Sequence, residues 1–131
     1  MVLVDGKGLP LGVHLSSASP AEANLAEATL NARVTRRRPA RIVADKGYDW
    51  RVLWERMKQL GVDLIAPHLS NRKNTFQDGR KLRRYRRRWI VERTNAWLFN
   101  FRRLLVRHER KVENFRAFLH YACVLIVLRR F

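Results

Sequence analysis

Residues 41–66 read RIVADKGYDWRVLWERMKQLGVDLIA and contain the clearest structural pattern of the chain. Two short β-prone runs, 41–44 and 62–66, enclose a segment whose apolar residues recur at helical spacing. The recurring residues are Trp50, Leu53, Trp54, Met57 and Leu60. Gly61 follows directly and is predicted to cap the helix, because glycine readily adopts the left-handed conformation that ends many helices. The pattern predicts strand, helix and strand, the repeating unit of α/β folds.

A β-hairpin is predicted upstream of this unit. Residues 2–4 and 9–15 are β-prone and flank Asp5-Gly6, a strong local hairpin signal. The first of these strands begins next to Met1.

A helix is predicted between the hairpin and residue 41. Ser19 is its candidate N-cap, Pro20 suits the first helical position and Glu22 completes a capping box. The helix would extend through Leu30 and end before the basic residues 36–38.

Downstream, the sequence predicts a loop over 68–79, a long basic helix over 80–103 and a last helix capped by Asn114. Apolar residues surround that last helix almost completely, which indicates a buried helix or a partner interface. The element order is therefore ββ-α-β-α-β-α-α. This order predicts one domain over residues 1–131, an α/β sheet flanked by helices.

The composition points to a polyanionic partner. Of 131 residues, 28 are Lys or Arg and 11 are Asp or Glu, a net charge of +17, while 47% hydrophobic residues suffice for a packed core. Residues 72–116 hold 16 of the basic and 4 of the acidic residues. Nucleic acid is the expected partner, ahead of an anionic membrane surface.

The cysteine content and the apolar runs bear on the cellular setting. Cys123 is the single cysteine, which excludes a disulfide framework and predicts an inert core thiol. The longest apolar stretch, 117–128, is too short to cross a bilayer. A cytoplasmic protein without a membrane partner is expected.

Two carboxylates are candidates for chemistry. Asp45 ends a predicted strand, where α/β folds collect their sites, although Asp before Lys-Gly is also an ordinary turn. Glu92 shares an α-helical stripe with Leu82, Tyr85, Trp89 and Ala96, so it is predicted to face inward. An inward carboxylate needs a metal ion or a partner, and Arg88, one turn earlier, could be a salt-bridge partner.

Together, the two acids form part of a site for a hard cation such as Mg²⁺, the ion that serves two-metal phosphoryl transfer. Few acids are available between residues 80 and 88 to neutralise the arginines there. Contact with a nucleic-acid backbone is therefore predicted for that segment.

The same residues carry a resemblance to a known family. Residues 43–49, VADKGYD, resemble the second-aspartate motif of bacterial insertion-sequence transposases with a DDE catalytic triad. Tyr85, Arg88 and Glu92 match the spacing of the Tyr-Arg-Glu signature around the last triad acid. The flanking residues 89–94 and 100–103 look like the same family, and the match covers nearly the whole chain.

The resemblance implies an RNase H-like mixed sheet flanked by helices, which cuts and joins DNA at insertion-sequence ends using Mg²⁺ or Mn²⁺. It implies that Asp45 is the second and Glu92 the third catalytic and metal-binding acid. The implied DNA-binding residues are Tyr85, Arg88, Arg84, Arg87 and Arg93.

Two features differ from the family pattern. Phe99 stands where the signature has a lysine, seven residues after Glu92. The first triad aspartate belongs on a strand before the hairpin, and Asp5 matches a non-catalytic turn position instead. The chain is therefore expected to be the C-terminal part of the catalytic domain, incomplete at its N-terminus. It would bind DNA but hold the metal weakly and not cleave alone.

A product of an upstream reading frame, or self-association, could complete the site. The alternative is a non-enzymatic basic nucleic-acid-binding protein, in which Asp45 and Glu92 are structural. A change of substrate within an RNase H-like nuclease is a third possibility. The distance between the two carboxylates separates the first two interpretations.

Overall fold

The computed structural model describes residues 1–17, 22–71, 73 and 75–130. The strands are β1 (Val2–Val4), β2 (Pro10–Val13), β3 (Arg41–Val43) and β4 (Asp63–Ile65). The α-helices are α1 (Ala26–Asn31), α2 (Arg51–Gln59), α3 (Trp89–Phe99), α4 (Arg102–Leu105) and α5 (Val112–Leu128). Three 3-10 helices cover Glu22–Leu25, Lys46–Tyr48 and Gly79–Arg88. The mixed α/β class is confirmed.

The four described strands form two separate sheets. β1 pairs with β2 in antiparallel orientation, and β3 pairs with β4 in parallel orientation. This differs from the single mixed sheet that the resemblance implied. Among the described residues no strand joins the two pairs, and β1 and β3 both line one cavity.

The hairpin forms where the sequence predicts it. The Asp5 carboxylate accepts hydrogen bonds from the backbone N–H groups of Lys7 and Leu9, both at 2.8 Å. Asp5 therefore shapes the turn, in the position that the sequence predicts for it. The residue with positive φ is Gly8 (φ 88°) and not Gly6, because the turn extends over five residues instead of two.

The hairpin turn also receives helix α3. The Thr94 hydroxyl is completely buried and donates to the Gly8 carbonyl oxygen at 2.7 Å. A Cβ atom on Gly8 would lie 3.0 Å from both the Thr94 hydroxyl and the Arg93 guanidinium. Positive φ and close approach thus both require glycine at this position.

We expect Gly8→Ala to lower the free energy of unfolding by about 2 kcal/mol, because it adds left-handed strain and disturbs the docking of α3. Urea denaturation followed by circular dichroism measures the change. Gly6→Ala is the matched control in the same turn, since its Cβ meets nothing within 4 Å and its φ is not positive. Equal losses in the two variants would contradict the role of Gly8.

The strand–helix–strand unit of residues 41–66 is confirmed. Leu53 and Met57 on α2 are buried against a core that also contains Leu30, Val62 and Leu64. Gly61 has φ 74°, and the N–H groups of Gly61 and Val62 donate to the carbonyls of Lys58 and Met57.

This bonding is the Schellman pattern, in which the last carbonyls of a helix are satisfied by the residues that follow it. The predicted cap at Gly61 is therefore confirmed.

The basic segment is helical, but not as one α-helix. It begins as the ten-residue 3-10 helix Gly79–Arg88, continues as α3 and is broken before α4. A 3-10 helix repeats every three residues, so Leu82, Tyr85 and Arg88 form one half-buried row. A long 3-10 helix is uncommon, and seven of its ten residues here are basic.

The change of helix type overturns the predicted inward stripe. Trp89 is 52% exposed, the Glu92 side chain is 59% exposed and Ala96 is exposed, while α3 buries Ile90, Thr94 and Leu98. Each 3-10 residue turns the helix by about 120° instead of about 100°, so the α-helical phase set at Leu82 is lost before residue 89. The prediction that Glu92 faces inward was wrong.

Salt bridges attach both ends of the 3-10 helix to the parallel sheet. The Lys81 ammonium lies 2.8 Å from the Asp63 carboxylate at the start of β4. At the other end, Arg88 lies 3.2 Å from the carboxylate of Asp45, which follows β3. The basic helix therefore runs beside β3 and β4.

Helix α5 covers the second core. Leu119, Ala122 and Ile126 are buried with Leu98 and Leu104. The opposite face of α5 is exposed at Tyr121, Val124 and Leu128. The helix is therefore buried on one face only. It begins at Val112, and the predicted N-cap at Asn114 was wrong because Asn114 already lies in the first turn.

Cys123 is partly buried, and this burial raises the pKa of its thiol, in agreement with a weakly reactive group.

The predicted N-cap Ser19, Pro20 and the side chain of Glu22 lie outside the described residues. Within the described part of the chain, no helix has the length and apolar character needed to cross a membrane.

Candidate active site

Asp45 lies just beyond the end of β3, as predicted. The Ala44 N–H donates to the Ile65 carbonyl at 2.9 Å, which ties this end of β3 to β4. Asp45 then caps the 3-10 turn Lys46–Tyr48, and its carboxylate accepts from the Lys46 N–H at 2.6 Å. The turn therefore fixes the backbone while 41% of the side chain stays exposed at the edge of the sheet.

Arg88 brings the two predicted acids together. Its Nη2 atom lies 3.2 Å from Asp45 Oδ2 and 3.2 Å from Glu92 Oε1. The two carboxylate oxygens are thus no further apart than twice that distance, within the reach of a pair of metal ions about 4 Å apart. The Arg88–Glu92 salt bridge that the sequence also allowed is present in the same arrangement.

Tyr85 also contacts the Arg88 guanidinium. Arg88 Nη1 donates to the Tyr85 hydroxyl oxygen at 2.8 Å, and the hydroxyl lies 3.5 Å from Asp45 Oδ1. This hydrogen bond, with the negative charges of Asp45 and Glu92, raises the pKa of Arg88 although partial burial opposes the rise. Arg88 is therefore a permanent cation between two carboxylates.

The fit to a divalent cation depends on the number of acids. Among the described residues, no group of three or more His, Cys, Asp or Glu side chains is placed to hold a metal ion. Mg²⁺ is commonly held by one or two carboxylates together with water and substrate phosphates. Asp45 and Glu92 fit such a shared site, from which the Arg88 guanidinium would have to withdraw, and they do not form a closed protein cage.

Arginines flank the acids in two exposed rows of the 3-10 helix. Arg84 and Arg87 lie three residues apart, and both line the cavity that Asp45 and Arg88 also line. Arg80, Arg83 and Arg86 form the second exposed row. The first row is thus the one beside Asp45 and Arg88.

Arg93, also predicted to bind DNA, is engaged within the protein. Its guanidinium lies over the rings of Trp89 and Trp97, 4.7 Å from each centroid, and Nη2 donates to the Lys7 carbonyl at 2.7 Å. With Thr94, it fastens α3 to the hairpin turn. The sequence pattern did not identify this docking role, because the contacts span 86 residues.

A buried Asp–His pair supports the loop that carries Asp45. Asp49 is 4% exposed, and its carboxylate contacts His68 Nδ1 at 2.9 Å and the Leu69 N–H at 2.7 Å. Phe76 packs edge-on against the imidazole. The pair joins the turn after β3 to the loop after β4. Its one signal in the sequence is Asp49 itself, the last residue of the segment DKGYD.

We expect Arg88→Ala to tighten Mn²⁺ binding about fivefold, because a positive charge that competes for both carboxylates is removed. Titration of the DNA-free protein with Mn²⁺, followed by electron paramagnetic resonance, measures the affinity. Arg86→Ala, an exposed arginine outside the acidic cluster, is the control and should leave the affinity unchanged. Weaker Mn²⁺ binding in Arg88→Ala would show that the guanidinium does not compete.

Comparisons with known proteins agree with the motifs. The family model described as "Transposase DDE domain" matches residues 1–127. A putative transposase for insertion sequence element IS402 of Burkholderia cepacia is 34% identical over 133 residues, which cover 95% of this chain and 60% of that protein. The chain thus spans 60% of the length of this relative, and no solved structure matches it. As the residues around Asp45 and the Tyr-Arg-Glu spacing predicted, the chain belongs to the DDE transposases of insertion sequences.

Proposed function

We propose that this chain takes part in DNA transposition as part of an RNase H-like catalytic domain. In this role it binds DNA and supplies two metal-binding acids. The observation that carries the proposal is the meeting of Asp45 and Glu92 on Arg88, beside an exposed row of arginines. The acids come from elements 47 residues apart, so their meeting is a property of the fold. The family relationship supports the same conclusion.

Asp45 and Glu92 would hold Mg²⁺ or Mn²⁺. When bound, the ion supplies activation of an attacking oxygen and stabilisation of the leaving oxygen at a phosphodiester. Arg88 keeps the two carboxylates together before the ion arrives, and Tyr85 keeps the displaced guanidinium nearby for a DNA phosphate. Because two carboxylates bind a divalent ion weakly, the chain alone binds DNA without cleaving it. In this proposal a further acid completes the site, supplied by an upstream-frame product or by a second copy of this chain.

Arg84 and Arg87 carry the DNA contact. Both side chains are exposed and line the same cavity as Asp45, so a phosphodiester that they hold would lie beside the proposed metal site. Tyr85 and Arg88 act from within the site. Arg93 adds positive charge at the flank, although one of its donors is used by Lys7.

Iron-directed protein cleavage tests the metal site. Fe²⁺ replaces Mg²⁺, and ascorbate with peroxide then cuts the polypeptide near the bound ion. We expect fragments ending near residues 45 and 92 when duplex DNA is present, and none at these places in Asp45→Asn/Glu92→Gln. Fragments that persist unchanged in this double variant would reject the site.

DNA cleavage by the unmodified chain is the second arm of the experiment. A labelled duplex carrying insertion-sequence ends should be bound and left intact in Mg²⁺. Mg²⁺-dependent strand cleavage that disappears in Asp45→Ala would show that these two acids suffice, and would contradict the proposed impairment.

A non-enzymatic nucleic-acid-binding protein is the second candidate function. Arg88 already forms salt bridges with both acids in the structure, so Asp45 and Glu92 can serve as structural partners without any metal. This candidate predicts DNA binding that is independent of divalent ions, and iron-directed cleavage that does not cluster at residues 45 and 92. The same two assays therefore distinguish the candidates.

A further inference from the structure

The outward face of helix α5 carries a regular stripe of side chains. They recur at alternating steps of three and four residues, the spacing at which two paired helices meet. The stripe consists of Asn114, Ala117, Tyr121, Val124 and Leu128. All five residues are exposed, and the exposed fractions of the last three are 62%, 52% and 61%. The exposed face of α5 therefore has the pattern of a helix that packs against another helix.

A pocket of about 530 Å³ adjoins the first half of this stripe. It is lined by Arg103, Glu109, Asn114, Ala117, Phe118 and Tyr121. The Glu109 side chain is only 7% exposed, and its Oε1 atom accepts from the exposed Arg103 at 2.9 Å. Its Oε2 atom is buried and has no hydrogen-bond partner in the part of the chain that the structure describes. Because a buried carboxylate oxygen without a donor is unfavourable, the wall of the pocket lacks a cationic partner.

The second half of the stripe offers the groups that the pocket lacks. Val124 and Leu128 present apolar side chains to solvent, and the exposed Arg129 follows directly. Among the described residues, the Arg129 guanidinium has no ion pair or hydrogen bond, whereas the neighbouring Arg130 stacks on Trp97 at 4.5 Å. One end of α5 thus carries a pocket with an unpaired anionic oxygen, and the other end carries an apolar ridge with an unpaired cation.

We propose that this face binds a second copy of the chain, through antiparallel pairing of two α5 helices about a two-fold axis near Tyr121. Leu128 of each copy then enters the pocket of the other beside Ala117. Arg129 of each copy donates to the unpaired oxygen of Glu109 in the other, so every contact is made twice. A parallel pair would instead bring the two Arg129 side chains together and leave both Glu109 oxygens without a donor.

The distribution of charge favours this face for self-association. The net charge of +17 opposes the approach of two copies over most of the surface. Helix Val112–Leu128, however, contains one acidic and one basic residue, Glu113 and Arg116, so its own net charge is zero. An acidic partner would be attracted to the basic helix Gly79–Arg88 rather than to this neutral stripe. The inference needs neither DNA nor metal, so it stands whether or not the proposed function holds.

Sedimentation velocity of the DNA-free chain over a range of protein concentrations tests the dimer. A salt concentration of about 0.3 M screens the long-range repulsion between copies. We expect a dimer in the micromolar range and a loss of affinity of at least about tenfold in Val124→Glu, which brings charge into the apolar seam. Val34→Glu is the matched control, because Val34 is 83% exposed and lies outside α5. A chain that stays monomeric through the micromolar range, or equal effects of the two variants, would overturn the proposal.

Two charge reversals test the pairing of Glu109 with Arg129. Glu109→Lys and Arg129→Glu each bring like charges together twice in their own homodimer, so each alone should dimerise at least about tenfold more weakly. In a heterodimer of the two variants, both pairs again join opposite charges. An equimolar mixture should therefore regain an affinity within about threefold of the unmodified chain, and a mixture as weak as its components would reject the antiparallel arrangement. Circular dichroism checks that both variants fold. Should Glu109→Lys fail to fold, Val124→Glu and Val34→Glu still decide the proposal, since both positions are exposed.

Discussion

Replacement of Asp49 by alanine is expected to lower the free energy of unfolding by about 3 kcal/mol. Its carboxylate is buried and accepts from the Leu69 N–H while it contacts His68 Nδ1. Without the carboxylate, these two polar groups lose their partner in a place that water cannot easily reach. Urea denaturation measures the loss, and the loop after β4 should become more susceptible to proteolysis.

Asp78→Ala is the matched control for Asp49→Ala. Asp78 is also an aspartate that accepts a backbone hydrogen bond, from the Arg80 N–H at 2.9 Å, but it is exposed. Loss of such a helix cap costs about 1 kcal/mol. If Asp49→Ala cost no more than Asp78→Ala, the buried pair would not stabilise the loop.

The second large effect concerns DNA affinity. The double variant Arg84→Ser/Arg87→Ser should weaken duplex binding at least about tenfold and reduce the slope of log K against log salt by about two units, because two phosphate contacts are lost. Fluorescence anisotropy of a labelled duplex over a series of salt concentrations gives both quantities. The two residues lie on the row beside Asp45 and Arg88.

The control for this variant is Arg83→Ser/Arg86→Ser. It removes the same charge at the same spacing from the other exposed row of the same helix. The expected change in affinity is only about twofold, from the weaker general attraction. Equal effects of the two double variants would show that DNA does not select the row beside the acids.

Local sequence signals predicted the elements that local interactions form. The hairpin at Asp5, the helix of residues 51–59 and the cap at Gly61 follow from turn and helix chemistry within a few residues. The phase of the basic helix did not follow from the sequence, because its salt bridges to the two strands join residues far apart in the chain. The sequence pattern was interpreted with the α-helical period of 3.6 residues, whereas the segment has a period of three. The Asn114 cap failed at a boundary, where helices are least sharply encoded.

The geometry of the candidate site was predicted in part. The motifs placed Asp45 and Glu92 in one site, and the structure does bring them together, through Arg88. The contacts that support the site were missed. His68 meets Asp49 across 19 residues, and Arg93 meets Lys7 across 86, and neither distance leaves a periodic trace in the sequence.

Two salt bridges attach the basic helix to the parallel sheet, so the helix between them must span about the same length as the strand beside it. From Arg41, level with Asp63, to Asp45, β3 and its exit advance by about 13 Å at 3.3 Å per residue. The seven steps from Lys81 to Arg88 rise by about 14 Å in a 3-10 helix and by about 10 Å in an α-helix. The length spanned by the strand and its exit therefore agrees better with a 3-10 helix than with an α-helix. A 3-10 helix of this length also aligns every third residue along one side, so the length of β3 and its exit determines which arginines lie in one row.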